Sequence, residues 1–147
     1  MVRRGVGRAC DTACGKKIAV QTGTVQVDDI TKRNKACTSG KITIDQYQKQ
    51  SDATNAVVTG KDDAMLADSP VAAYAVKQTS GQLALVGDIY DSAPYGYAVG
   101  KTQTDFAGAI SGAVQALIAD GTYKQILDKW GVSAGAITAP AVNPPAS

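Results

Sequence analysis

The chain contains no histidine and no glutamate; all 13 acidic residues are aspartate. The first absence removes the side chain that ordinarily titrates near neutral pH and the commonest metal-ligating nitrogen. Most histidine-based acid–base and metal chemistry is thereby excluded. Arginine is scarce: Arg3, Arg4 and Arg8 fall in the first eight residues, and Arg33 stands alone in the body. The formal net charge is +2, and without the N-terminal arginines the body is close to neutral. No basic stripe supports nucleic-acid binding. No run is long and apolar enough to span a membrane. The opening MVRRGVGRACDTACG carries arginines but no apolar stretch after them, so it does not read as a secretory signal. Residues 1–13 read as a disordered or non-native leader.

What is present is an alternation of strand and helix. Ile18, Ala19 and Val20 read as a short buried strand, Thr22-Gly23-Thr24 as a tight turn, and VQVDDITKRNKA as a helix with Asp28 and Asp29 near its N-terminus, where the helix dipole favours negative charge. Such a turn aims backbone N–H groups beyond the strand end and can bind an anion. Lys41–Tyr47 alternates apolar and polar residues and predicts a second strand. Ser51–Gly60 predicts a helix stopped by Gly60. Asp63–Ala67 predicts a third, buried strand, Ser69-Pro70 the start of a helix, and Gln82–Ile89 a fourth strand. The expected fold class is α/β, a doubly wound parallel sheet with core order 2-1-3.

Of the three cysteines, Cys14 precedes the first strand and Cys37 ends the first helix. A helix packed back along its strand returns to that strand's starting edge, so these two should meet. A disulfide there would imply an oxidising compartment; the alternative is two unpaired thiols at loop ends. Cys10 is left over and expected to be free.

Asp68 lies at the end of the third strand. With Ser69 as N-cap and Pro70 as the first helical residue, its carboxylate is spare. The competing reading makes Asp68 itself the cap, and local sequence does not choose between them. Topology favours the spare carboxylate, because in a 2-1-3 sheet the loops after strands one and three flank the crevice where ligands bind. One loop offers N–H donors and the other a carboxylate, which suits a zwitterion such as an α-amino acid. The Gly turn alone matches neither G-x-x-x-x-G-K-[ST] nor G-x-G-x-x-G. Arg33 reads as part of a solvated face, and Asp62-Asp63 as surface charge rather than a metal site. Tyr90, Tyr95 and Tyr97, on a connecting strand, could stack on a ligand, but alternate aromatics there read as core or hinge packing. Phe106, Ile110, Val114 and Leu117 form one face of a following helix; Tyr123, Ile126, Leu127 and Trp130 form one face of the next. These faces need a partner surface.

GKKIAVQTGTVQ, GKDDAMLADSPVAAYAV, APYGYAVGK and LIADGTYKQILDKWGV, in this order and spacing, resemble the family 3 solute-binding proteins of ABC importers for polar amino acids. The resemblance runs from Cys14 to about Pro144. It implies a periplasmic-binding-protein-like type II fold, in which two α/β lobes joined by two hinge strands close on an amino acid. Residues 14–92 would form the second lobe, 93–101 the return hinge strand, 102–134 helices of an incomplete first lobe, and 135–147 a tail. The turn at Gly23, Thr24 and Val25 would contact the ligand carboxylate and Asp68 the α-ammonium. With Gln21 and Gln26 flanking, the implied ligand set is Gln21, Gly23, Thr24, Val25, Gln26 and Asp68. Many members have Thr at the position of Val25, so a hydroxyl is lost while the backbone N–H remains.

In the family the first lobe begins well before the position of Met1, so this chain looks like an N-terminally truncated member. The resemblance further implies ABC permease subunits as partners, an extracellular or periplasmic location with a secreted or lipid-anchored full-length form, no cofactor, and no enzymatic activity. The alternatives on this fold are an enzyme resembling cyclohexadienyl dehydratases, with Asp68 and tyrosines as its acid–base candidates, and a ligand-sensing receptor module.

Overall fold

The computed structural model describes residues 3–4 (backbone only), 13–87, 89–90, 93 and 95–144. The chain divides into two compact units, Met1–Tyr90 and Asp91–Ser147.

The first unit is built on β2 (Lys17–Gln21), β3 (Thr43–Tyr47) and β4 (Ala64–Leu66), after a two-residue β1 (Arg3–Arg4). The three form a parallel sheet in the order β3-β2-β4, the expected 2-1-3. Connecting them are α1 (Val25–Ala36) and α2 (Gln50–Thr59), and α3 (Ser69–Gln78) follows β4. Ile18, Ala19 and Val20 of the central strand are all 0% exposed, as expected of a parallel strand covered on both faces. The pleat divides them. Ile18 and Val20 pack with Ile30 of α1, Ile42, Ala64 and Leu66, whereas Ala19 packs with Ala53 and Val57 of α2, Met65 and Ala75 of α3. Helices on opposite faces of one sheet follow from right-handed crossovers.

Register aligns one end of the sheet. Gln21 is level with Tyr47, and Val20 with both Gln46 and Leu66. The turn after β2 and the β4–α3 junction at Asp68 therefore leave the same end of the sheet. At the opposite end Cys14 and Cys37 are joined by a disulfide, with Cα atoms 5.6 Å apart and a sequence separation of 23. In the chain-entropy account this closure contributes about 3 kcal/mol. Cys10 lies outside the described residues. Ala13, assigned to the leader by sequence, is buried in the core.

Three expectations change. The fourth strand shrinks to β5 (Leu83–Ala84), which pairs in parallel with Arg3–Arg4 and not with the main sheet. Its partner is two residues long, and Gly87, at φ 83°, turns the chain soon after. The described residues of 93–101 contain no strand; extended chain becomes a strand only where a neighbour takes its backbone hydrogen bonds. The N-cap of α3 is Asp68, not Ser69, because the Asp68 carbonyl already accepts from the Ala72 N–H at 2.9 Å. Pro70 then sits second in the helix, where its missing N–H is equally harmless.

The second unit holds α4 (Thr104–Ala119), α5 (Thr122–Trp130) and a 3-10 turn (Ser133–Gly135). The two helices pack on each other across Gly121, at φ 82°. Neither contains a buried residue. Polar ties tidy the C-terminal end: Lys124 pairs with Asp128, the Ser133 hydroxyl donates to Asp128, and the Ile137 N–H donates to the Tyr123 hydroxyl.

Candidate functional site

The β2–α1 turn is fixed from within. Thr22 N–H donates to the Tyr47 carbonyl at 2.8 Å, and the Thr24 hydroxyl donates to the Gln21 carbonyl at 2.8 Å. Gly23 adopts φ 76°, a left-handed value that suits glycine, although a Cβ there would meet nothing within 4 Å. Thr24 occupies the N-cap of α1, yet its side chain makes no capping hydrogen bond because the hydroxyl turns back to Gln21. The first N–H groups of α1 thus point out of the turn without a side-chain acceptor, the arrangement that receives an anion. Val25, at the first helical position, is 73% exposed.

Asp68 approaches the same turn from β4. Its side chain makes no capping hydrogen bond to α3. Instead, its Oδ1 accepts from Gln26 Nε2 at 2.6 Å. The carboxylate is therefore directed at the β2–α1 turn and not at its own helix. Of the expected residues, Gln26 and Asp68 touch directly, Gly23 and Val25 contribute backbone at the turn, and Thr24 locks it. Gln21 Nε2 donates to the Gln48 carbonyl at 3.3 Å, towards the β3 side.

Behind the turn is a cluster that the sequence did not reveal. Arg33 is half-buried and not simply a solvated face. Its Nε donates to both Asp29 oxygens at 2.9 Å, and its guanidinium lies 4.5 Å from the centre of the Tyr90 ring. The Tyr90 hydroxyl donates to Asp29 Oδ2 at 2.7 Å. The Asp29–Arg33 spacing of four was a readable helix-pair signal; the arrival of Tyr90, 61 residues away, was not. The cluster neutralises Asp29 inside α1, so one of the two carboxylates near the anion-receiving end is already compensated. Tyr95 and Tyr97, read from sequence as core or hinge packing, are 73% and 78% exposed.

Asp62 and Asp63 also depart from the surface-charge reading. Asp63 is exposed, and its Oδ2 accepts from the Lys17 N–H at 2.9 Å, pinning the start of β2. Asp62 is 1% exposed, with the Tyr47 hydroxyl donating to its Oδ2 at 2.7 Å. Among the described residues no group of three or more acidic or cysteine side chains could hold a metal ion.

No protein-family profile matches the chain. Individual relatives do. An arginine-binding protein of Corynebacterium glutamicum is 38% identical over 137 residues, covering 90% of this chain and 45% of that protein. The glutamine-binding protein of an ABC transporter in Bacillus subtilis is 28% identical, covering 79% of this chain and 40% of its own length. Among solved structures, an ancestral arginine-binding protein bound to arginine superposes with a TM-score of 0.63 at 29% identity, over 84% of this chain and 54% of that one. The chain carries the sequence pattern and fold of family 3 amino-acid solute-binding proteins. It spans about half the length of the curated relatives it matches.

Proposed function

We propose that the first unit supplies one wall of an amino-acid-binding cleft, and that the protein acts as the solute-binding subunit of an ABC importer. The N–H groups of Gly23, Thr24 and Val25 receive the ligand α-carboxylate, and Asp68 receives the α-ammonium. Gln21 and Gln26 frame the site. The reading rests chiefly on the 2.6 Å contact from Gln26 to Asp68, which holds an anion-receiving turn and a carboxylate at one edge of the sheet. The relatives' printed names, arginine-, glutamine- and cystine-binding, supply the ligand class. Permease subunits as partners and an extracytoplasmic location belong to the same reading, and the Cys14–Cys37 disulfide suits an oxidising compartment.

The test joins this chain to the N-terminal remainder of the Corynebacterium glutamicum relative and measures binding of arginine, glutamine and cystine by calorimetry. Asp68→Asn keeps the shape and removes the charge. It should weaken binding about tenfold to a hundredfold while leaving unfolding stability nearly unchanged, since Asn suits a cap position as well as Asp. Undiminished affinity in Asp68→Asn would overturn the assignment of this residue.

A further inference from the structure

Asp68 stands where an aspartate ordinarily caps its own helix. It is the N-cap of α3, yet its side chain makes no capping hydrogen bond, and Oδ1 accepts instead from Gln26 Nε2 at 2.6 Å. Two features of the sequence bear on this competition between acceptor seats. An N-cap side chain bonds the N–H of the second or third helical residue. The second residue of α3 is Pro70, which has no N–H, so the capping seat is reduced to the Val71 N–H. The rival donor is well placed. Gln26 is the second residue of α1 and half-buried, and it follows the turn that leaves the same end of the sheet as Asp68. Its contact with the carboxylate is at the short end of the range for a hydrogen bond to an ionised acceptor.

We propose that Gln26 is a positioning residue: its amide, helped by the missing N–H of Pro70, draws the Asp68 carboxylate off its own helix and holds it towards the β2–α1 turn. The side chain of Asp68 then has two alternative seats, the Val71 N–H and the Gln26 amide. Residues 26 and 70 set the balance between them. The consequence for binding rests on the reading of Asp68 as the ammonium partner. A carboxylate seated at Gln26 faces the turn, where the ligand carboxylate is received; one seated at Val71 is engaged by its own helix. A site whose competent form is only a fraction of the population loses apparent affinity by that fraction. Gln26 thus raises affinity by keeping Asp68 in the competent seat, and it does so without touching the ligand.

The test begins with the intact, oxidised chain and needs no ligand. Gln26→Met keeps the length of the side chain and removes the donor. Pro70→Ala leaves Gln26 in place and restores the second capping N–H. Hydrogen exchange read by NMR should show the Val71 amide slowed severalfold in Gln26→Met relative to the parent. In Pro70→Ala the protection should appear at residue 70 or Val71. Adding Asp68→Ala to either variant should remove it, whereas Asp68→Ala in the parent should leave Val71 exchange unchanged; a general tightening of α3 would not behave so. Binding of arginine, glutamine and cystine then follows in the hybrid with the Corynebacterium glutamicum relative, where Gln26→Met and Pro70→Ala should each weaken binding about tenfold. Should Pro70→Ala fail to fold, Gln26→Met decides. Val71 exchange that Gln26→Met leaves unchanged, or protection that survives Asp68→Ala, overturns the proposal. So does a hybrid that binds one of the three amino acids equally well before and after Gln26→Met. In a hybrid that binds none of them the cleft reading falls, and Val71 exchange by itself upholds or overturns the positioning.

Discussion

Residues 1–90 and 91–147 relate hydrophobicity to burial in opposite ways. In the first unit a short apolar run disappears completely: Ile18, Ala19 and Val20 are 0% exposed, with helices over both faces of their sheet. In the second, α4 and α5 are equally well patterned, yet Phe106 is 55% exposed and Trp130 48%. Local pattern specifies that a helix forms and which face is apolar; burial needs a second layer, and two helices packed on each other provide less cover than a sheet between helices. The contrast yields four expectations that could break or sharpen it.

The largest effect should come from the central strand. Ile18→Ala leaves a cavity between α1 and the sheet, and should destabilise the first unit by about 3 kcal/mol. Circular dichroism during urea unfolding measures this directly; a loss under about 1 kcal/mol would mean that the sheet is not the core of this unit. Next is the disulfide. Cys14→Ser with Cys37→Ser releases the 23-residue closure and should cost about 3 kcal/mol by the entropic account, less if the unfolded chain stays compact. Both changes should leave hydrogen exchange in α4 and α5 unaltered.

What could be read from sequence follows the same division. The bounds of α1 at Val25 and Ala36, the 2-1-3 order and the Cys14–Cys37 bridge were legible, because each depends on neighbours in sequence or on a general rule of chain topology. At the candidate site the turn and Asp68 were legible as two loops at one sheet edge. The Gln26–Asp68 hydrogen bond was not, because side-chain direction at a loop depends on which backbone groups compete for it. Asp62 was misread for a related reason: a charged residue before a strand is ordinarily solvated, and only the reach of Tyr47 across the α2-covered face reveals the exception. No strand forms among the described residues of 93–101, because strand identity belongs to a pair, and composition describes one member of it.

A smaller effect should come from the cluster behind the turn. Tyr90→Phe keeps the ring beneath the Arg33 guanidinium and removes the hydroxyl that donates to Asp29. Arg33 still compensates the carboxylate, so the cost should be about 1 kcal/mol and not that of an orphaned buried charge. The same variant should leave the first-unit sheet intact while raising hydrogen exchange around Tyr90. Arg33→Met in addition to Tyr90→Phe should cost more than the two singles summed, since the first loss makes Asp29 depend on the remaining partner. Simple additivity would mean that the three side chains are neighbours without acting together.

The smallest effect should be at the exposed face of α4. Phe106 already keeps more than half of its surface in water, so replacing it forfeits little transfer free energy. Serine has nearly the same intrinsic helix propensity as phenylalanine, so the helix itself should hold. Phe106→Ser is therefore expected to change unfolding stability by less than about 0.5 kcal/mol, several-fold below Ile18→Ala. Its visible consequence should be in association: Phe106, Leu117, Ile126 and Trp130 are all exposed on these two helices, and apolar surface of that kind favours self-contact. Light scattering of the purified chain over a concentration series should show less association in Phe106→Ser than in the parent, with equal helix content by circular dichroism. A destabilisation above about 1 kcal/mol would mean that Phe106 is covered in solution, by another copy or by a partner. The two units would then differ in what covers them rather than in how well their sequences specify a core.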